Sequence, residues 1–272
     1  MRDILYFSNL CESLILEISS NANEITLIVV LAFLFAGFVK GIIGIGLPTT
    51  AITIMTFFMS PLTALGLNLI PMTVANIWQF GKAENPKNLI YNYKYFAISL
   101  MICILITSFY AHQVGNNIVR LIFAFAVILF VSLQIFGFDF KMQKRHDAFW
   151  QGGLGSLGGL IGGFASIWAV PVTMYLLMKK ATPKHFVDVS GFLITIGCIP
   201  VSFGYIITGV FQPNMFVYGA LGSVTAVIGF QLGEKVRNKI NANTFKKLLL
   251  TFFSIAALKM IIQSLVEFKV FL

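Results

Sequence analysis

Charge is what this sequence has least of. Asp, Glu, Lys and Arg make up only 11% of its 272 residues, against roughly a quarter in an ordinary soluble domain. Hydrophobic types reach 58% and the mean hydropathy is +0.88. So little polar surface cannot face water on all sides, and the bilayer has to solvate most of the chain. Cysteine and histidine are scarce too, at 3 residues each. Cys11, Cys103 and Cys198 show no paired spacing, which excludes a disulfide framework or a metal clip. His112 and His185 are loop residues without metal-ligand spacing. No G-x-x-x-x-G-K-[ST] run occurs, so nothing in the chain is built to hydrolyse ATP. No H-E-x-x-H or G-x-S-x-G occurs either, and an intramembrane enzyme would lack its metal set or nucleophile. An enzyme is not expected, nor is a cofactor.

The charge that is present is placed unevenly. The net charge is +9, and most basic residues fall in four short segments between apolar runs. These hold Lys82, Lys87 and Lys94; Lys141, Lys144 and Arg145; Lys179, Lys180 and Lys184; and Lys235, Arg237, Lys239, Lys246 and Lys247. Such clustering marks cytoplasmic loops under the positive-inside rule. No basic patch is interleaved with aromatics, so nucleic acid is not a partner. Residues 1–24 carry Asp3, Glu12, Glu17 and Glu24 beside Arg2, which rules out an uncharged signal-peptide core. Ile4, Phe7, Cys11, Leu14 and Ile18 recur at helical spacing there. They predict an amphipathic N-terminal helix in the interface, on the non-cytoplasmic side.

A membrane-spanning helix needs about 20 apolar residues. Single spans are predicted near 61–80, 95–110 and 117–136, and again near 184–208, 215–232 and 245–266. The unbroken runs exclude the alternation of a β-barrel. Two further stretches, 25–60 and 148–180, are too long for one span and too short for two. The first contains Gly37-Phe-Val-Lys40-Gly41-Ile-Ile-Gly44-Ile-Gly46-Leu-Pro48. The second contains Gly152-Gly153-Leu-Gly155-Ser156-Leu-Gly158-Gly159-Leu-Ile-Gly162-Gly163, then Phe164-Ala-Ser166-Ile-Trp168-Ala-Val-Pro171. Glycine costs about 1 kcal/mol inside a helix and proline about 3. Each stretch is therefore read as a pair of short helices that enters, breaks and returns. With 82–94, 141–147, 179–184 and 234–247 inside and the uncharged 209–214 outside, 25–60 begins and ends outside while 148–180 begins and ends inside. Both termini then lie outside the cytoplasm.

The two halves also resemble each other. Gly41-x-x-Gly44 pairs with Gly159-x-x-Gly162, Pro48 with Pro171, and Ser60-Pro61 with Thr182-Pro183. Asn117-Ile-Val-Arg120 matches Asn243-Thr-Phe-Lys246 at the start of each last helix. The predicted fold is an all-α polytopic membrane protein of two inverted repeats, 25–140 and 148–268. Each repeat holds a Gly/Pro-broken re-entrant helix pair and three spanning helices. Inverted repeats with discontinuous helices place a substrate site near the membrane midplane, where unwound backbone meets half-helix ends. Helix N-termini there favour an anion.

These features together resemble the sulfite exporter TauE/SafE family. Gly41, Gly44, Gly46, Pro48 and Pro61 match the first repeat's pattern, and Gly159, Gly162, Gly163, Pro171 and Pro183 the second. The likeness runs over about residues 25–268. It implies a bacterial inner-membrane transporter of small anions, often sulfur-containing ones such as sulfite or organosulfonates.

Several polar residues in the apolar stretches are candidates for substrate contact. Lys40 stands alone between Ile25 and Gly81 and abuts the break. A lysine at the bilayer centre costs about 2.5–3.5 kcal/mol on insertion scales. It binds the anion if it faces the cavity, or snorkels to the cytoplasm if it sits at the hairpin tip. Glycines 41, 44, 46, 159, 162 and 163 would let substrate approach the backbone. Asn68, Asn76 and Gln79 share a face of one Pro-led span, and Ser190 and Thr195 lie on its counterpart. They touch substrate or bond helix to helix. Ser156, Ser166 and Trp168 offer donors in the second broken stretch. Asp188 is either a proton-coupling carboxylate or the partner of Lys184. Lys259, in mid-helix, has no evident partner. The function expected is secondary transport of a small anion by alternating access, with proton coupling or the membrane potential as the drive. An anion channel with two re-entrant loops is the alternative.

Overall fold

A computed structural model describes residues 2–136, 146–237 and 242–270. The side chains of the first 22 residues fall outside the described set, and with them the expected amphipathic face of the N-terminal segment. So do Lys141, Lys144, Arg145 and Lys239. The described residues form eleven helices and no strand. Helix α1 (Arg2–Ile43) is followed by short α2 (Leu47–Met55), α3 (Pro61–Phe80), short α4 (Pro86–Asn92), α5 (Lys94–Tyr110) and α6 (Gly115–Phe136). The second half holds α7 (Asp147–Ala165), short α8 (Ala169–Met178), α9 (Pro183–Ile207), α10 (Met215–Val236) and α11 (Ala242–Val270).

Proline and polar caps set the starts of the two Pro-led helices. Ser60 accepts from the Thr63 amide and Thr182 from the His185 amide, and each is followed by proline at the first helical position. Proline there removes a donor that would have been left unpaired anyway. Four helices are long and apolar enough to cross a membrane: the Asn23–Ile43 part of α1, Gly115–Ser132 of α6, α9 and α10. A fifth comes from α4 and α5 taken together, although a 74° bend separates them. The chain is a multi-pass membrane protein. Large apolar side chains such as Leu27, Phe125, Ile199, Phe203, Leu258 and Ile262 stay exposed on its outside, as they must where lipid is the solvent.

Both broken stretches break, but later in the chain than their glycine runs suggest. The first interruption is Gly44–Gly46, with φ of 93° at Gly44 and 99° at Gly46; the second is Ser166–Trp168, with Ser166 at φ 54°. Only the second helix of each pair is short. The apolar part of α1 has 21 residues and α7 has 19, whereas α2 and α8 have 9 and 10. The expectation of two short helices per stretch is corrected here, and the reason lies in packing. Gly37 and Gly41 of α1 press on α10, where an added methyl would strike the carbonyl oxygens of Ala226 and Phe230. Gly229 and Gly233 of α10 meet Leu34 and Phe38 of α1 in return. In α7, Gly155, Gly159 and Gly163 recur every four residues and face α5. Methyls there would meet Ser99, Cys103 and Thr107. Without a hydrophobic drive between helices in lipid, small residues that let backbones approach supply the packing. The gain offsets the propensity cost, so these glycines stay helical. Elsewhere α3 crosses α9 and packs on α10, α9 packs on α5, and α6 packs on α11.

Polar contacts sort the loops to two ends of the bundle. At one end, called basic below, Lys82 meets Glu234 at 3.0 Å, Lys179 meets Asp147 at 2.9 Å, and Lys184 pairs with Glu84. At the other, the Leu62 amide donates to Asn116, and a cleft of about 200 Å³ is lined by Leu62, Thr63, His112, Gly209 and Gln212.

The packing role of the glycines separates two substitutions in one helix. Nothing lies within 4 Å of a methyl added at Gly153. Gly153→Ala should therefore be neutral or stabilise by up to about 1 kcal/mol. Gly159→Leu should cost about 3 kcal/mol by overpacking against α5. Thermal unfolding in detergent reads the difference, and equal melting temperatures would contradict it.

Candidate functional site

Lys40 sits one turn before the first break and is only 1% exposed. Its ammonium donates to Oδ1 of Asn76, itself fully buried on α3. The Asn76 amide group is oriented by its own bond to the Met72 carbonyl at 2.7 Å. Among the described residues the titratable group that acts on Lys40 is the buried Cys198 of α9, not a carboxylate. Burying a charge is costly unless it is paired and hydrogen-bonded, and here the described partner is a neutral amide.

The second break brings its own polar group to the same level of α9. The Trp168 indole is wedged between α7 and α9, and methyls added at Gly162 and Gly197 would each lie 2.8 Å from its ring. Gly197 and Cys198 are consecutive, so the indole of one break and the lysine of the other address neighbouring positions of one helix. Trp168 Nε1 has no partner. Ser166, in left-handed backbone, lies 3.3 Å from the Tyr205 hydroxyl, which donates to the Gly163 carbonyl at 2.9 Å. A left-handed serine stores about 1–3 kcal/mol of strain.

Other buried polar atoms are also unpaired. Among the described residues Thr50 and Thr53 on α2, Asn68 Oδ1 and Gln79 Oε1 lack partners, as does Ser264 on α11. Each orphan of this kind costs about 1–3 kcal/mol. Four of these atoms lie on the short helix α2 and the Pro-led α3. Short helices α2 and α8 start without side-chain caps, which leaves amides of their first turns unmatched.

The sequence candidates divide accordingly. Lys40 and Asn76 meet directly. Gln79 crosses to α9, donating to the Val187 carbonyl at 2.7 Å and meeting Ser190 at 3.3 Å. Gly44 and Gly46 form the first break; Ser166 and Trp168 form the second, with Gly162 against the indole. Asn68 is buried on the same helix as Asn76 and touches Met72. Gly41, Gly159 and Gly163 face neighbouring helices. Ser156 is half-buried on α7, and Thr195 bonds back to the Gly191 carbonyl. Lys184 is engaged by Glu84, while Asp188 stands between two clefts at the basic end. His185 bonds the Tyr93 hydroxyl at 2.7 Å. Lys259 rests 3.7 Å over the Phe57 ring.

Sequence reasoning missed Arg237. It lines the larger cleft, about 510 Å³, and donates twice to the Gly41 carbonyl, yet it reads in the sequence as one basic loop residue among several. It also missed Cys198 and Tyr205, whose positions in apolar runs carry no signal. The Asn68/Ser190, Thr73/Thr195 and Asn76/Cys198 pairs do share one spacing between halves.

A multi-pass helical membrane protein with buried, unmatched polar groups beside two helix breaks is built to pass a small solute. The chain matches the family described as Sulfite exporter TauE/SafE over residues 29–260. No curated protein and no solved structure matches it. With most of its length covered, the protein belongs to the sulfite exporter TauE/SafE family, whose members are membrane transporters and not enzymes.

The Lys40–Asn76 contact is open to a double-mutant cycle. Asn76→Leu leaves the ammonium buried without its acceptor and should cost about 3 kcal/mol. Adding Lys40→Met should recover most of that loss, because replacing both partners by apolar groups is nearly neutral. Additive losses in chemical denaturation would show that the two side chains do not interact.

Proposed function

We propose that this chain is a secondary carrier that moves a small anion across the bacterial inner membrane by alternating access. The substrate class is a sulfur oxyanion, sulfite or an organosulfonate, or a carboxylate. One observation carries the reading: a fully buried lysine beside a helix break, hydrogen-bonded to a neutral amide, with no carboxylate among the described groups that act on it. An intramembrane cation so placed is a functional residue by default, and an anion is the partner it lacks. The Trp168 N–H and the hydroxyls of Thr50 and Thr53 are donors held in reserve for substrate oxygens.

The inverted-repeat architecture, 25–140 and 148–268, is part of the proposal. Its support is that packing partners exchange between halves. As α1 lies on α10, α7 lies on α5; as α3 lies on α10, α9 lies on α5; α3 with α9 and α6 with α11 pair across the two halves. Asp147, at the start of α7, accepts from Tyr175 at 2.8 Å and Lys179 at 2.9 Å, at the end of α8. That bond set supports a hairpin that returns to the end it started from. The basic end is assigned to the cytoplasm by the positive-inside rule, with both termini opposite. Asp188, between two clefts at the basic end, is the candidate for proton coupling.

Two experiments test this. In proteoliposomes, Lys40→Ala should abolish saturable sulfite or sulfonate flux while leaving insertion intact; unchanged flux would remove Lys40 from the site. Non-saturating single-channel current in the parent protein would favour a channel with re-entrant loops over a carrier. Separately, single cysteines at Asn88 and Gln212 should react with impermeant thiol reagents from opposite sides of the membrane. Labelling of both from one side would break the topology.

A further inference from the structure

We infer that Arg237 forms an oxyanion site in the cleft at the basic end, and that an anion bound there frees the carbonyl that latches α1 beside its break. The last carbonyls of a helix have no partner within it. At the end of α1, the Lys40 carbonyl is taken by the Gly44 amide at 2.7 Å. The Gly41 carbonyl is taken from outside: Arg237, at the C-cap of α10, donates through Nε at 3.0 Å and Nη2 at 2.6 Å. A guanidinium fork is matched to an acceptor with two oxygens. Here both prongs converge on one neutral oxygen, so the fork is under-used.

The same side chain lines the cleft of about 510 Å³, together with Ile42, Ile43 and Ile45 of the first break and Thr173 of α8. The other charged groups on the cleft wall are Lys184 and Asp188. Lys184 is already engaged by Glu84, which leaves the guanidinium as the donor-rich group. Sulfite, a sulfonate or a carboxylate presents two oxygens to the fork; a halide presents one point. Asp188 holds down the net positive charge of the cleft, so an anion is retained weakly enough to move on. When the fork turns to the anion, the Gly41 carbonyl loses its cap. The last turn of α1 then loosens at Gly44 and Gly46, which already occupy positive φ and allow the backbone to swing. Occupancy of the cleft is thereby coupled to movement of the α1–α2 pair.

The inference rests on the anion-transport reading and deepens it. Amide hydrogen exchange over residues 40–47 tests the latch in the unmodified protein. Sulfite should speed exchange there, and chloride at equal ionic strength should not. Arg237→Gln should exchange fast without sulfite and raise the KM for sulfite uptake by about tenfold or more, the scale of a lost charge-assisted hydrogen bond. Arg237→Lys, which keeps the charge and one donor, should fall between. Unchanged exchange on adding sulfite, or a wild-type KM in Arg237→Gln, overturns the latch while transport by the unmodified protein stands. Liposomes of unmodified protein that take up neither sulfite, sulfonate nor carboxylate overturn the transport reading and the latch together.

Discussion

Close backbone approach at two helix pairs, α1 with α10 and α7 with α5, is the constraint on which the rest of the molecule depends. Lipid tails are as apolar as leucine, so helices in a bilayer gain little by hiding apolar surface from one another. What holds them is dispersion over short distances, and that needs surfaces without side chains. The glycines of α1, α7 and α10 provide those surfaces. The Thr107 hydroxyl adds a polar tie, donating to the Gly159 carbonyl at 2.9 Å across the α5–α7 contact. Once these long helices are fixed, the short helices that follow each break are carried on them, and the breaks are presented to the α3–α9 crossing.

That crossing collects the chemistry. Lys40 reaches Asn76 from one side, Trp168 lies against Gly197 from another, and Gln79 links α3 to α9. A soluble protein would expose such groups to water. In this chain they are buried and only partly satisfied, and each unmatched polar atom is a free-energy cost of folding. The breaks interrupt the helices beside this crossing. Glycine at positive φ in one break and a strained serine in the other are places where backbone can change course without unwinding the packed helices beside them.

Much of this is legible in the sequence. The Pro-led helices begin where Ser60-Pro61 and Thr182-Pro183 mark them, because the cap and the proline act locally. The buried state of Asn68, Asn76, Gln79 and Ser190 followed from polar residues in apolar spans. The glycine runs were less transparent. Glycine is disfavoured in an isolated helix by its backbone entropy, and no local rule reveals that a neighbouring helix will repay the loss. Gly159 and Gly44 look alike in sequence; one is pressed on α5 and the other turns the chain. Arg237 was invisible for a similar reason. Its partner, the Gly41 carbonyl, lies 196 positions away and belongs to the backbone, which carries no residue-type signal.

The sequence by itself determined the solvent, the starts of the Pro-led helices and the presence of one lysine where a lysine is expensive, since each of these rests on composition or on neighbours within a few residues. Only the tertiary structure decided which glycines bend the chain and which bind helices together. It also decided that the lysine is buried on an asparagine, and that an arginine from the far half caps the broken helix. Those outcomes depend on contacts between distant segments, and close packing, not local propensity, selects among them.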